Sequence, residues 1–263
     1  TGVLPVCLGK ATKLCDLLTD TNKIYEATLL LGITTDTQDM SGTIISECQT
    51  NELIQENVVE VIAGFVGPYE QIPPMYSALK VNGKKLYELA REGKTIERKS
   101  RTVTIYNIEI LQVSLPRVQM RVSCSKGTYI RTLCHDIGAK LQCGGCMETL
   151  RRTSVGGFEI AKSITLSEVE KMKQNDTLMN VITPIDAMFQ NYKVVKVKNE
   201  SIALVYNGNP FSKANMIDPT EFGQDEKIRV YNESNDFIAI YQYQQSKDLF
   251  EIVKMFFDQN ELV

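Results

Sequence analysis

Histidine is nearly absent from this chain: His135 is the single one in 263 residues. A structural zinc site takes four Cys or His ligands. The pair in Cys143-Gly144-Gly145-Cys146 falls short of that, and reads instead as a glycine helix stop flanked by thiols. It also lacks the βαβ surroundings of a thioredoxin-like motif. Long apolar runs are missing too, none approaching the roughly 20 residues of a membrane helix. Neither a metal nor a membrane is therefore expected as a partner. Positive charge is scarce, with 29 Lys and Arg against 32 Asp and Glu and a net charge of −3, which argues weakly against nucleic acid. The seven cysteines are odd in number and scattered through apolar or helical contexts. That pattern fits reduced thiols in a cytoplasm better than a disulfide framework.

The distribution of charge says more than its total. Residues 71–101 carry eight basic side chains (Lys80, Lys84, Lys85, Arg91, Lys94, Arg98, Lys99 and Arg101) and only Glu88, Glu92 and Glu97 against them. This local +5 leaves −8 for everything else. A polyanion would have to be met by that patch.

The chain is long enough for one large domain and a small one. Residues 7–18 read as a helix. Residues 24–33 read as a strand with Tyr25, Ala27, Leu29 and Leu31 on one face, and residues 52–65 as an amphipathic helix. Asn82-Gly83 is a hairpin signal, followed by a short helix through Leu86, Leu89 and Ala90. Residues 101–113 and 118–125 read as strands. Thr165 and Glu168 form a capping box that opens a helix to about Lys173. After residue 190 short strands follow one another (192–197, 227–231 and 237–243), as in a small β-barrel module behind an α/β body. That boundary divides residues 1–189 from residues 190–263.

One stretch stands out: Ser125-Lys126-Gly127-Thr128-Tyr129-Ile130-Arg131-Thr132-Leu133. Val118, Met120, Val122 and Cys124 alternate before it, while Ile130, Leu133, Ile137 and Leu141 share a helical face after it. A strand thus turns directly into a helix near Thr128, an N-cap residue type, with Gly127 relaxing the turn. Arg131 falls on the flank of the apolar stripe, where a guanidinium suits a carboxylate or phosphate.

This stretch, with Met75-Tyr76-Ser77-Ala78-Leu79-Lys80, Gly32-Ile33-Thr34-Thr35-Asp36-Thr37-Gln38-Asp39, Leu150-Arg151-Arg152-Thr153 and the opening Thr1-Gly2, resembles the TruB family of bacterial tRNA pseudouridine synthases, the uridine-55 type. The resemblance runs in order over nearly the whole chain. It implies a pseudouridine synthase fold of the α+β kind, with a mixed sheet flanked by helices and a PUA-like C-terminal module. It implies isomerisation of uridine in the TΨC arm of tRNA, without a cofactor, by a cytoplasmic enzyme. Thr1-Gly2 matches the last two letters of the family's G-x-L-D-P-x-A-[ST]-G motif, so the nucleophilic aspartate is expected about four residues before Thr1.

By the same resemblance Arg131 pairs with the catalytic carboxylate, and Tyr25 stacks on the target base. Tyr129 and Leu150 line the pocket, while Asp39 lies near the RNA; Lys126, by its place one residue from the turn, is read as a phosphate contact or a solvated lysine. For Tyr25 the stacking role is favoured over proton transfer, because a phenol's ordinary pKa of about 10 is far from that of a neutral base. Residues 71–101 resemble the insertion that grips the tRNA elbow, with Lys80, Lys84, Lys85 and Arg91 as phosphate contacts. That insertion disfavours a guide-RNA-dependent synthase subunit. Residues 216–263 hold ten acidic and four basic side chains, which departs from a strongly basic RNA-binding module. The alternative reading is a non-catalytic RNA-binding or RNA-refolding protein. Nothing in the sequence suggests an obligate dimer, so a monomer is expected.

Overall fold

The structure, a computed structural model, describes residues 1–81 and 83–257. Two compact units divide the chain: Thr1–Val6 with Asp16–Ser163, and Cys7–Cys15 with Ile164–Val263. The boundary expected near residue 190 thus lies within the second unit, just ahead of its first strand. No helix among the described residues is long and apolar enough to cross a membrane.

In chain order the first unit holds α1 (Cys15–Thr19, which begins at the division), β1 (Lys23–Leu31), β2 (Ile33–Thr35), β3 (Ile44–Glu47) and α2 (Gln55–Ala63). Then come β4 (Gly67–Gln71), β5 (Lys80–Val81), β6 (Lys84–Lys85) and α3 (Leu86–Arg91). It ends with β7 (Arg101–Ser114), β8 (Arg117–Cys124), α4 (Ile130–Lys140), β9 (Gly145–Val155) and β10 (Phe158–Glu159). Residues 9–14, expected as part of a longer helix, form a 3-10 turn ahead of α1.

Six strands make the central sheet in the order β10-β9-β1-β8-β7-β4. The fold class expected from sequence, mixed α and β around a central sheet, is the one observed. Strand direction differs from the expectation of a mixed sheet, because every neighbouring pair is antiparallel. The reason is topological. β8 and β9 run the same way but flank β1 on opposite sides, with α4 as the crossover between them.

The alternation along β1 decides which face is covered. Ala27, Leu29 and Leu31 join Val118, Met120, Val122 and Cys124 of β8 in a core with Val58 and Ile62 of α2 and Ile130, Leu133, Cys134 and Ile137 of α4. Each fully buried aliphatic side chain in such a layer contributes roughly 1.5–3 kcal/mol. The other face is polar. Arg121 of β8 bridges Glu26 of β1 at 2.8 Å and Glu109 of β7 at 2.7 Å. Arg117 meets Glu148 at 2.8 Å, and the Thr28 and Thr149 hydroxyls hydrogen-bond at 2.7 Å.

α4 and β9 meet through glycine. A Cβ on Gly138 would sit 2.2 Å from Gly145 N and 2.3 Å from Gly144 C, so the turn after the helix closes directly on the helix backbone. Cys143 and Cys146, on either side of the two glycines, are buried free thiols.

The second unit contains α5 (Leu166–Gln174), β11 (Lys193–Lys196), α6 (Ile202–Tyr206), β12 (Lys227–Tyr231), β13 (Phe237–Gln244) and β14 (Leu249–Met255). The capping box of α5 forms as expected: Glu168 N–H donates to Thr165 Oγ1, and Thr165 N–H donates to the Glu168 carboxylate at 2.6 Å. β11 to β14 form one sheet in sequence order, parallel between β11 and β12 and antiparallel elsewhere. Its core is aromatic, with Phe211 stacked on Phe250 at 5.0 Å and edge-on to Tyr241.

Candidate active site

Residues 32–43 form a loop held from within and from outside. Thr35 Oγ1 donates to Asp39 O at 2.7 Å, and Thr43 N–H donates to Asp36 Oδ1 at 2.8 Å. A Cβ on Gly42 would lie 2.3 Å from both Asp36 Oδ1 and Thr37 Oγ1, so a side chain there would displace the groups that hold the loop. Met40 N–H donates to Met147 O, and Met147 N–H to Gln38 O, which stitches the loop to β9. From α4, Thr132 Oγ1 donates to Gln38 Oε1 at 2.7 Å.

That scaffold delivers Asp39 to Arg131. Arg131 Nη1 stands 3.0 Å from Asp39 Oδ2, with the two side chains 28% and 14% exposed. The other carboxylate oxygen accepts from Thr37 Oγ1 at 2.8 Å, Ser41 N–H at 3.1 Å and Ser41 Oγ at 2.5 Å. Burial pushes the Asp39 carboxyl upward, but the Ser41 and Thr37 hydrogen bonds and the Arg131 charge outweigh it and hold the group below its ordinary value. Both carboxylate oxygens are thus engaged by partners within the fold. Asp39 therefore fixes the direction of the Arg131 guanidinium.

Tyr25 and Leu150 lie on the α4-covered face of the sheet, partly buried against the core, and Leu150 is the register partner of Ala27. A bulge adjoins Tyr25. Ile24 pairs with Ser154 and Tyr25 with Arg152, which leaves Thr153 as the extra residue, its hydroxyl donating to Ile24 O at 3.3 Å. Bulges of this kind re-aim a side chain. Burial raises the Tyr25 phenol above its ordinary value and the nearby Cys124 adds to that, with Arg152 opposing. The ring stays protonated at neutral pH, in keeping with stacking more than with proton abstraction.

The opening residues lie along the same strand. Val3 N–H donates to Arg152 O at 2.9 Å, and Arg152 Nε donates back to Val3 O at 2.8 Å. A Cβ on Gly2, at φ +132°, would meet the Arg152 backbone at 2.5 Å. Thr1 and Gly2 are thereby placed beside the register partner of Tyr25.

The helix carrying Arg131 starts at Ile130 with Tyr129 as its N-cap, later than expected. Thr128 does not cap it, because its hydroxyl donates to Ser125 O at 3.0 Å and closes the Gly127 turn instead. The backbone of Tyr129 is held by Gln71, the last residue of β4. Tyr129 N–H donates to Gln71 Oε1 at 2.8 Å, and Gln71 Nε2 donates to Tyr129 O at 3.0 Å. Sequence reading passed over Gln71, Gln38 and Thr132, since their partners lie far away along the chain. Lys126 is exposed and ion-paired with Asp20. With Tyr129, Leu79 and Arg101 it lines an open cleft of about 550 Å³.

Lys80, Lys84, Lys85 and Arg91 are grouped on one small substructure. β5 and β6 pair as a hairpin, Lys80 opposite Lys85 and Val81 opposite Lys84, and α3 follows at once. Gly83 turns it at φ +84°, while Asn82, the other half of the expected signal, lies outside the described residues. Lys85 Nζ and the Arg91 guanidinium lie 5.3 and 5.4 Å from the centre of the Tyr87 ring.

Residues 1–130 match the TruB family pseudouridylate synthase (N terminal domain), and residues 131–190 match the tRNA pseudouridylate synthase B C-terminal domain. A tRNA pseudouridine synthase B of Lachnoclostridium phytofermentans is 51% identical over 97% of this chain and 86% of its own length. The protein of that name in Clostridium kluyveri is 45% identical over 97% and 85%. Among solved structures, a Cbf5-Nop10-Gar1 complex contains a chain with TM-score 0.68 and 24% identity, over 98% of this chain and 74% of that one. An archaeal box H/ACA Nop10-Cbf5 complex gives TM-score 0.65 at 20% identity, over 98% and 74%. These two show a shared fold. With two family domains spanning residues 1–190 and relatives aligned over nearly the whole chain, this protein belongs to the TruB family of pseudouridylate synthases.

Proposed function

We propose that this protein isomerises uridine to pseudouridine in tRNA, acting on the TΨC arm in the cytoplasm. The observation that carries the reading is the Arg131–Asp39 pair at the mouth of α4 in a chain of this family. The reaction breaks the bond between uracil N1 and the ribose, turns the base, joins C5 to the ribose and releases the C5 proton. It needs a nucleotide drawn out of the RNA and a site that retains the freed uracil.

In this reading the Arg131 guanidinium, aimed by Asp39, steadies the reacting carboxylate or the charge that develops on the ribose or base. Tyr25 offers its ring to the base, a contact of roughly 1–3 kcal/mol. Leu150 and Tyr129 bound the pocket, and Lys126 stands near a phosphate. The aspartate of the family motif would be the nucleophile. Thr1 and Gly2, the letters of that motif in this chain, run along β9 beside the partner of Tyr25, which supports the reading. The hairpin-helix with Lys80, Lys84, Lys85 and Arg91 grips the tRNA backbone, and the protein works as a monomer. We read the strand module of the second unit as PUA-like on its position and strand pattern, and assign it no strong RNA contact because of its acidity.

Tritium release from tRNA labelled at uridine C5 tests the proposal with the full-length protein. Release in proportion to pseudouridine formed is expected. Tight tRNA binding with neither release nor pseudouridine would replace this reading with that of an RNA-refolding protein.

A further inference from the structure

We propose that Gln71 is a positioning residue for the pocket: from the edge strand β4 it sets the backbone of Tyr129, and through it the ring of Tyr129 and the start of the helix that carries Arg131. The inference rests on the activity proposed above and adds to it a residue outside the pocket lining.

Gln71 is 1% exposed, at the inner end of a strand where an apolar side chain would be the ordinary occupant. A buried primary amide is costly unless both its ends are paired. Here both ends are satisfied by one residue, at 2.8 and 3.0 Å, so the amide acts as a two-point clamp on a single peptide segment. Two contacts to one residue fix its orientation as well as its position.

The clamp falls at the entry to the helix that carries Arg131. α4 receives no side-chain hydrogen bond from its own N-cap, Tyr129, whose backbone N–H depends on the amide of another strand. Two residues earlier Gly127 takes φ +77° in open space, with nothing within 4 Å of where a Cβ would stand. The Thr128–Ser125 hydrogen bond closes that turn, and Gln71 sets the Tyr129 backbone that follows it. Arg131 follows two residues later, and its guanidinium must also meet Asp39 at 3.0 Å on the far loop. A small displacement at Tyr129 therefore moves a pocket side chain and loads the ion pair.

The same strand supplies a built-in contrast. Tyr69, two residues before Gln71 on the same face of β4, donates its hydroxyl to Asp136, well inside α4. It also stands beside the Gln71 amide, so that removing the hydroxyl leaves both Gln71–Tyr129 hydrogen bonds in place. β4 thus holds the body of the helix through Tyr69 and its N-cap through Gln71. Loss of the first should cost stability. Loss of the second should cost catalysis, since misplacement by about 1 Å is enough to lower a rate on the order of 100-fold.

Steady-state kinetics on tRNA with the full-length protein compare wild type with Gln71→Met, Gln71→Glu and Tyr69→Phe, each below its own melting midpoint. Methionine fills the same volume and removes both hydrogen bonds. Glutamate keeps an acceptor for Tyr129 N–H but sets an oxygen against Tyr129 O. We expect Gln71→Met to lower kcat by about 10- to 100-fold with KM within about threefold, Gln71→Glu to fall between it and wild type, and Tyr69→Phe to lower the melting midpoint with kcat within about twofold of wild type. Equal kcat for Gln71→Met and wild type, or losses in kcat that follow melting midpoint across all three variants, would overturn the proposal. Should Gln71→Met fail to fold, Gln71→Glu decides it by the same comparison. If wild type forms no pseudouridine, the proposed activity fails and the clamp is read by hydrogen exchange at the Tyr129 amide in Gln71→Glu. Faster exchange there, without change at the Leu133 amide, supports the clamp; unchanged exchange refutes it.

Discussion

Arg131 and Asp39 meet at 3.0 Å although one opens a helix and the other closes a tight loop. The contact fixes the direction of a guanidinium whose own helix supplies only a flanking position. Truncating it removes a charge from the pocket and leaves a partly buried carboxylate without its cation. Arg131→Ala should lower kcat at least about 100-fold, with tRNA affinity changed only a few-fold because phosphate contacts elsewhere carry binding. Single-turnover rates with binding by filter retention check both halves. A variant that loses affinity but keeps its turnover would move Arg131 from the chemistry to the docking surface.

Asp39 makes the loop sensitive to acid. Its folded carboxyl lies below the ordinary value, so the stabilisation it brings is fully present above the unfolded pKa of about 4 and disappears as pH falls through the folded value. Wild type should therefore lose melting temperature faster than Asp39→Asn between about pH 5 and pH 2, and the gap between them should close at the acid end. Parallel melting curves over that range would refute the anchor role.

The basic hairpin gives a prediction in salt. Lys84 and Lys85 sit on exposed or half-buried ground, and the Lys84 ion pair with Glu92, at 3.7 Å between exposed side chains, is too weak to occupy it. Replacing both with Ala should weaken tRNA binding and reduce the slope of log affinity against log salt by about 1.5, at about 0.7–0.9 per phosphate contact. An unchanged slope would place the tRNA elsewhere.

Gly138 offers a test of the fold itself. A methyl there collides with the backbone of Gly144 and Gly145 at 2.2 to 2.5 Å, and backbone atoms have no rotamer to escape into. Gly138→Ala should destabilise the first unit by about 1–3 kcal/mol, the range overpacking typically produces. Urea unfolding measures it, and a change below about 0.5 kcal/mol would mean the turn relaxes freely.

How much of this was legible beforehand depends on how local each feature is. The alternation of Tyr25, Ala27, Leu29 and Leu31, the stripe of Ile130, Leu133 and Ile137, and the Thr165–Glu168 box are written in short spacings, and the structure repeats them. β9 escaped, because two bulges break its period and its residues include Thr149, Arg151 and Thr153. β14 escaped as well. The cap of α4 was assigned to Thr128 on residue type, yet a competing carbonyl at Ser125 takes that hydroxyl. Within the site, the family motifs pointed to Arg131 and Asp39 separately, but no spacing could announce that they touch. Gln71 carries no local signal at all, since its meaning lies in a helix that follows four strands later.

The ladder of Glu26, Arg121 and Glu109 across β1, β8 and β7 bears on how a polyanion comes in. Its cation sits between two carboxylates, exposed Arg151 stands opposite Glu26 on the same face and brings the local sum to zero, and Arg117 nearby is neutralised by Glu148. A polyanion meeting that side of the sheet finds Arg121 and Arg117 already engaged by carboxylates. On the docking proposed above, this face then competes little with the basic hairpin, which suits a protein whose overall charge is −3.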